Sequence, residues 1–289
     1  MKNLCTVSDI NYLYKGLTLY ESLKSETKNF ILHYLCIDDE SFNKLRQFES
    51  DSLKVYHVET YLESDTNLKL LKDSEYRYFC WSLASYFTNK LLQTDIDAIT
   101  HIDSDIYFHK DLGIILDEIG DREIGMFRHR QFPLSTPRPE GHYNVGVVHF
   151  KKTNIGKGLC SWWADSVLNK RHPEYATCGD QKYLEYFTVA CPPELLYIDE
   201  NIGHGAPWHW QTLEFLGDGK VKFEGQEQEL VFTHFSQFED GEHSYIPSTM
   251  HHIYTPLAMY KNNKTLKAIY DEYHSELANI KIKYNGPKR

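Results

Sequence analysis

Two aspartates one residue apart, Asp103 and Asp105, sit in the run His101-Ile102-Asp103-Ser104-Asp105-Ile106-Tyr107-Phe108, just after the β-like stretch 96–100. A strand buried in an α/β sheet has no water for a charge, so acids are tolerated where it emerges at its C-terminal end. Ligands of open α/β folds bind at that end. Two hard oxygen donors there suit Mg²⁺ or Mn²⁺, above all a cation shared with phosphate oxygens. The competing reading is a polar turn in which Asp103 caps the next helix. A cation needs a further ligand, and His234 is the best placed of the 15 histidines. It emerges from the apolar run 230–233 and precedes Phe235. A strand-end histidine held only by hydrogen bonds is the alternative. His251 and His252 read as part of a solvated turn.

Three other places carry residues that need an explanation. Cys178-Gly179-Asp180-Gln181 opens a helical pattern, and Asp180 is expected to cap it. A helix start on a rim is also a polar, directional site. The strand Tyr143-Asn144-Val145-Gly146-Val147-Val148 carries an amide that must find partners, protein or ligand, if buried. Gly146 in that strand signals close approach of another backbone or a substrate. Trp208-His209-Trp210 is the densest aromatic cluster, read as a flexible Gly/aromatic loop over 203–210 that either stacks on a ring or closes the core.

The elements that must position these groups alternate along the first half of the chain. Strands are expected at 4–7, 30–37, 53–58 and 96–102, with helices at 12–23, 41–48 and 76–92 between them. That alternation predicts βαβ units and a mostly parallel sheet flanked by helices. A helix at 112–119, strands at 123–127 and 143–150, and helices at 155–168 and 181–187 follow. The stretch 131–142, with three prolines and a glycine, reads as a loop over the rim. A late hairpin is expected from 221–223 and 230–235, and a closing helix from 257–280 with a short basic tail. The division expected is one domain over 1–250 and a C-terminal helical appendage over 251–289.

Bulk properties narrow the partners. A formal charge of −10 over 289 residues argues against nucleic acid as a general partner, and an anionic ligand would need a metal or local cations. The six cysteines show no C-x-x-C pair, which predicts reduced, buried thiols. No signal peptide and no bilayer-spanning run is read, so a cytoplasmic location is expected. The oligomeric state is not legible.

Taken together, these motifs resemble a GT-A glycosyltransferase, the nucleotide-diphospho-sugar transferase fold. More narrowly, the chain is similar to glycosyltransferase family 8 and its uncharacterised bacterial relatives over most of residues 1–240. The family's opening D-x-N-Y element matches Asp9-Ile10-Asn11-Tyr12. The resemblance implies that Tyr12 stacks on a nucleobase and Asp9 bonds its edge. It implies a divalent cation (Mn²⁺, or Mg²⁺) on Asp103-Ser104-Asp105 and His234, bridging the diphosphate. The family's F-N-x-G strand matches Tyr143–Gly146, and its D-Q pair matches Asp180-Gln181. Asn144, Asp180 and Gln181 would then work beside the reacting carbon, and Arg77 would touch the donor.

The implied activity is transfer of a hexosyl-type group from a nucleotide sugar, most simply a UDP-sugar, to a hydroxyl on a glycan, lipid-linked or protein acceptor. The resemblance also implies retention of anomeric configuration and a place in polysaccharide biosynthesis. The chain departs from the family after His234, where Ser236-Gln237-Phe238-Glu239-Asp240-Gly241 lacks the usual diphosphate-binding lysine and adds two acids. The competing functions are a non-catalytic nucleotide- or glycan-binding domain and a Mg²⁺-dependent phosphatase of the haloacid-dehalogenase type. The loops 131–142 and 208–210 are the expected acceptor walls. Lys281, Lys283 and Lys288 offer a weak contact with an anionic membrane surface or a solvated tail.

Overall fold

The computed structural model describes residues 1–132, 139–176, 179–250, 252 and 254–285. Its strands in chain order are β1 (Lys2–Ser8), β2 (Phe30–Cys36), β3 (Leu53–His57), β4 (Ala98–Ile102), β5 (Ile106–Phe108), β6 (Ile124–Arg128) and β7 (Tyr143–Lys151). They continue with β8 (Leu196–Ile198), β9 (Gly203–Gly205), β10 (Leu213–Gly217), β11 (Lys220–Phe223), β12 (Gln226–His234), β13 (Glu239–Asp240) and β14 (Tyr245–Ile246). The helices are α1 (Leu13–Glu26), α2 (Asp39–Leu45), α3 (Glu59–Leu62), α4 (Thr66–Ser74), α5 (Tyr76–Leu92) and α6 (Gly113–Ile119). After them come α7 (Asn154–Leu168), α8 (Phe187–Ala190), α9 (Leu257–Asn262) and α10 (Lys264–Asn285).

Among the described residues, seven strands form the main sheet in the order β3-β2-β1-β4-β7-β6-β8. Strands β3, β2, β1 and β4 are parallel, and β7 alone runs against its neighbours β4 and β6. The expected mostly parallel sheet is therefore present. Its two faces are dressed differently because side chains alternate along each strand. Cys5, Leu35, Ile99 and Val148 pack under α5 and α7, whereas Leu4, Tyr34, Ile102 and Val147 pack under α1 and α6. Helix α5 occupies the predicted residues, and its buried side chains surround it almost completely, as suits a helix wedged between sheet and α7.

A second sheet, β10-β11-β12-β5, carries the predicted late hairpin and adds two strands to it. Strand β5 is only three residues long and was not legible in the sequence, yet it sets the site. Its antiparallel register places His234 opposite Ile106, one residue beyond Asp105. The bond from the Phe235 amide to the Asp105 carbonyl, 2.8 Å, continues that ladder past the strand end.

The C-terminal helical segment breaks at Asn263, whose side chain caps α10 by accepting from the Leu266 amide at 3.0 Å. Leu266, Tyr270, Tyr273 and Leu277 of α10 pack with Trp210, Phe235 and Phe238 in a third apolar cluster. Lys281 pairs with Asp240 and Lys283 with Glu21, so these two lysines face the chain's own carboxylates; Lys288 lies outside the described residues. No described helix is long and apolar enough to cross a membrane.

Candidate active site

A cleft of about 850 Å³ opens at the C-terminal ends of β1 and β4. Asp9, Tyr12, Arg77, Asp103, Ser104, Asp105, Asn144, Asp180, Gln181 and His234 all line it. Residues up to 225 positions apart are thereby gathered on one rim, from Asp9 on the β1 corner to His234 at the end of β12. Asn11 is the exception. Its side-chain amide turns back to donate to Asp9 Oδ2 at 3.0 Å, while Asp9 Oδ1 accepts from the Asn11 and Tyr12 amides. That carboxylate thus ties the turn that starts α1, leaving the half-exposed Tyr12 ring on the cleft wall.

Asp103, Asp105 and His234 bring one potential ligand atom each to within 4.8 Å of one another. His234 Nε2 lies 3.0 Å from Asp105 Oδ1 and 3.7 Å from Asp103 Oδ2. The cluster is internally polarised. Burial works against a charged His234, but Asp105 and then Asp103 carry its pKa upward. The Asp105 carboxyl, itself penalised by burial, is held below the usual range by His234 and, secondarily, Lys15. Two carboxylates and an imidazole converging in a buried corner form a donor set that fits Mn²⁺ or Mg²⁺.

The histidine's tautomer follows from its partners. The Gly146 amide can only donate, so the atom of Asn144 it reaches at 2.9 Å is the carbonyl Oδ1. The same oxygen lies 3.2 Å from His234 Nδ1, which must therefore carry a proton. A neutral His234 then presents its Nε2 lone pair toward the two acids, the form a metal ligand needs. Asn144 Nδ2 in turn donates to Gln181 Oε1 at 2.9 Å, and Gln181 Nε2 donates to the Glu140 carbonyl at 3.0 Å. The buried amide expected to need partners finds them in this chain of side chains.

Gly146 has a different cause from the one expected. What approaches it within the protein is not another backbone but the His234 ring and the Asn144 side chain. A Cβ on residue 146 would lie 2.7 Å from His234 Nδ1 and 2.6 Å from Asn144 Oδ1. The missing side chain makes room for the imidazole.

Asp180 lies buried in the cleft wall, and burial, then the nearby Asp103 charge, pushes its pKa up to about 7. Its backbone carbonyl accepts from Trp163 Nε1 at 3.0 Å. The expected α-helix at 181–187 is instead a 3₁₀ segment, Gln181–Tyr186, and the Asp180 side chain makes no capping bond to it. Cys178 lies outside the described residues. Arg77 sits with its guanidinium 4.7 Å from the centroid of the exposed Trp81 ring on α5. Gly179 takes φ +64°, and the Trp81 ring would meet a Cβ there at 2.8 Å.

Several cleft residues escaped the sequence reading. His101 is buried on the α5–α7 face of β4, with Nε2 3.1 Å from Asp103 Oδ1 and Nδ1 4.0 Å from Cys5 Sγ. Burial alone would lower its pKa, but the bonds to Asp103 and Cys5 take it to about 10. Its partners lie on three elements, which sequence spacing cannot show. His129 stacks on Trp208 at 4.5 Å, and Trp208 meets His234 edge-on at 5.2 Å. The aromatic stretch is therefore not a flexible loop. Residues 203–205 pair with β12, Trp208, His209 and Trp210 are buried, and Trp210 donates to Tyr270 of α10. Of the three, Trp208 lines the cleft. Part of the expected acceptor loop, residues 133–138, lies outside the described residues.

Comparison with solved structures identifies the architecture. The chain superposes on mouse xyloside xylosyltransferase 1 with a TM-score of 0.53 at 15% identity, covering 81% of this chain and 97% of that one. It superposes on an active-site mutant of LgtC with a TM-score of 0.53 at 11% identity, covering 81% and 87%. The fold is GT-A. In this fold the paired aspartates follow β4, the fourth strand in chain order. Two uncharacterised proteins of Bacillus subtilis strain 168 are similar in sequence. YfnF is 28% identical over 250 residues, 81% of this chain and 80% of that protein. YfnD is 23% identical over 245 residues, 81% and 76%. No family profile matches the chain.

Proposed function

We propose that this chain is a metal-dependent glycosyltransferase that moves a hexosyl-type sugar from a nucleotide-diphosphate sugar, with UDP as the favoured nucleotide, to a hydroxyl acceptor on a glycan, lipid-linked molecule or protein. The observation that carries this reading is the convergence of Asp103, Asp105 and His234 beside Asp180 and Asn144 in one GT-A cleft. The xylosyltransferase named above supports glycosyl transfer as the reaction class. Asp103, Asp105 and His234 would hold Mn²⁺ or Mg²⁺, which when bound supplies Lewis-acid stabilisation to a departing diphosphate.

The rest follows from the chain's own side chains. Asn144 keeps His234 in its Nδ1-protonated form, and Gln181 and the Glu140 carbonyl keep Asn144 in place. His101 holds one oxygen of Asp103, leaving the other facing the cluster. Tyr12 offers an aromatic face for a base at one end of the cleft. Asp180, buried in the cleft wall, would stabilise positive charge that develops on the sugar carbon. We favour retention of configuration, which the resemblance to glycosyltransferase family 8 implies. Residues 1–250 would form the transferase domain and 251–289 its closing appendage. The five cysteines among the described residues are free thiols, which supports action in a reducing compartment such as the cytoplasm.

A thermal-shift screen of UDP-, GDP- and ADP-sugars with and without Mn²⁺ tests the reading, since a ligand of the native state raises Tm by mass action. A Mn²⁺-dependent rise with at least one donor is expected. No rise with any donor at millimolar concentration would count against it. With the donor known, proton NMR of the first-formed product reads the anomer, and an inverted product would remove the retention claim.

A further inference from the structure

The cleft has a charge deficit for the ligand proposed above. Among the described residues its wall carries five carboxylates, from Asp9, Asp103, Asp105, Glu140 and Asp180, and one permanent cation, Arg77. One divalent ion offsets the two acids that hold it, so a ligand with two phosphates needs further positive charge. The stretch after His234 offers no lysine to offset it.

One cation stands just behind the wall. Lys15 lies on the first turn of α1, with its Nζ 4.3 Å from the centroid of the Tyr12 ring. Gly16 lets that turn sit against the sheet, since a Cβ there would meet the Tyr34 hydroxyl at 2.0 Å. Tyr12, on whose ring the ammonium rests, lines the cleft. Among the described residues no carboxylate comes within ion-pair distance of Lys15, whereas Asp240 is already occupied by Lys281 and His274. Burial works against the Lys15 charge, and the carboxylates that favour it are Asp105 first, then Asp240 and Glu239. A half-buried ammonium near the metal-ligand cluster, with no carboxylate of its own, is one held for an anion that arrives.

We infer that Lys15 is a diphosphate-binding residue, adding from α1 a second fixed positive charge to that of Arg77. The inference rests on the proposed nucleotide-sugar function and adds a specific residue to it. Lysine suits the task as a compact charge on a flexible stem, able to follow phosphates between the bound and departing states. The aromatic ring of Tyr12 beneath the ammonium keeps the stem aligned when the cleft is unliganded.

The test is calorimetry of UDP and UMP binding in the presence of Mn²⁺, for the wild type, Lys15→Met and Lys15→Arg. Methionine keeps the apolar stem and removes the charge, so folding should be retained, with Tm as the check; Lys15→Gln is the second charge-removing variant. The expected result is a loss of UDP affinity of roughly tenfold or more in K15M, with UMP affinity changed less than about twofold and K15R within about threefold of wild type for UDP. A folded K15M or K15Q that binds UDP as the wild type does would overturn the inference. Equal losses for UDP and UMP would also overturn it, because Lys15 would then only prop Tyr12. If the wild type itself binds neither nucleotide with Mn²⁺, the parent reading fails and Lys15 falls with it.

Discussion

Substituting Gly146 by alanine strikes the site at its tightest point. The new Cβ would stand 2.7 Å from His234 Nδ1 and 2.6 Å from Asn144 Oδ1, short of ordinary van der Waals contact by ~0.7 Å or more. Neither neighbour can yield freely. The Asn144 carbonyl is held by the Gly146 amide, and the His234 ring is buried edge-on to Trp208. Relief therefore requires the imidazole to swing away from Asn144, which breaks the 3.2 Å contact that fixes its tautomer. Overpacking of this kind costs about 1–3 kcal/mol of stability. Loss of the partner that orients a metal ligand typically weakens binding by about 10–100-fold, or ~1.4–2.7 kcal/mol. Mn²⁺ titration followed by calorimetry at a temperature where the variant is folded reads the second effect apart from the first. Gly158→Ala is the control: at this exposed position of α7 a Cβ meets nothing within 4 Å, so stability should rise by up to ~1 kcal/mol with Mn²⁺ affinity unchanged. A folded Gly146→Ala protein with wild-type Mn²⁺ affinity would refute the role given to this glycine and to the Asn144–His234 contact.

Three further outcomes are expected. His101→Gln keeps a polar side chain of similar volume but removes the imidazole that makes the 3.1 Å contact to Asp103, and should lower Mn²⁺ affinity by about tenfold or more with the far-UV circular dichroism retained. Asp199→Asn should lower unfolding free energy by ~3–5 kcal/mol in urea titrations, because Asp199 and Arg130 form an ion pair that is 0% and 1% exposed and a lone guanidinium would remain. The pH dependence of stability should show buried neutral histidines. Burial, and secondarily a neighbouring lysine, lowers the pKa of His33 and of His149 to about 4. Below an unfolded-state value near 6.5 the unfolded chain takes up protons that the folded chain refuses, so stability is full above that pH and falls toward pH 4. At pH 5 each histidine accounts for at most ~2 kcal/mol of the loss. His149→Gln, at the Thr100 hydroxyl contact of 2.9 Å, should flatten the slope of Tm against pH between 6.5 and 4. An unchanged slope would remove His149 from the explanation.

The sequence was most informative where local pattern and burial agree. Helix α5 and the strand before Asp103 carry enough consecutive apolar residues that no tertiary contact overrides them. The donors Asp103, Asp105 and His234 were legible because each emerges from an apolar run, where a charged or polar side chain has to be accounted for. Their meeting was not legible, since it depends on β5, too short to show a period, pairing with β12 in one register. Aromatic content left 208–210 open between a ring-stacking loop and a corner that closes the core. His209 and Trp210 are buried, and Trp210 bonds Tyr270 of α10 some 60 residues later, which decides for the core. His101 and Lys15 stayed hidden for the opposite reason. Each looks ordinary in its own element, and its meaning comes from partners on others: Cys5 and Trp163 around His101, Asp105 and Asp240 around Lys15. Spacing alone also could not separate the α-helix expected after Asp180 from the 3₁₀ segment that forms.

The central claim is that Asp103 and Asp105, with His234, form a cation-dependent clamp for a nucleotide diphosphate. Calorimetric titration of UDP and the best UDP-sugar into wild type, Asp103→Asn and Asp105→Asn, each with and without Mn²⁺, addresses it most directly. The account predicts binding to the wild type that requires Mn²⁺, and loss of that metal-supported binding in both variants while their circular dichroism stays that of the folded protein. Metal-supported binding of unchanged affinity in both variants would contradict it.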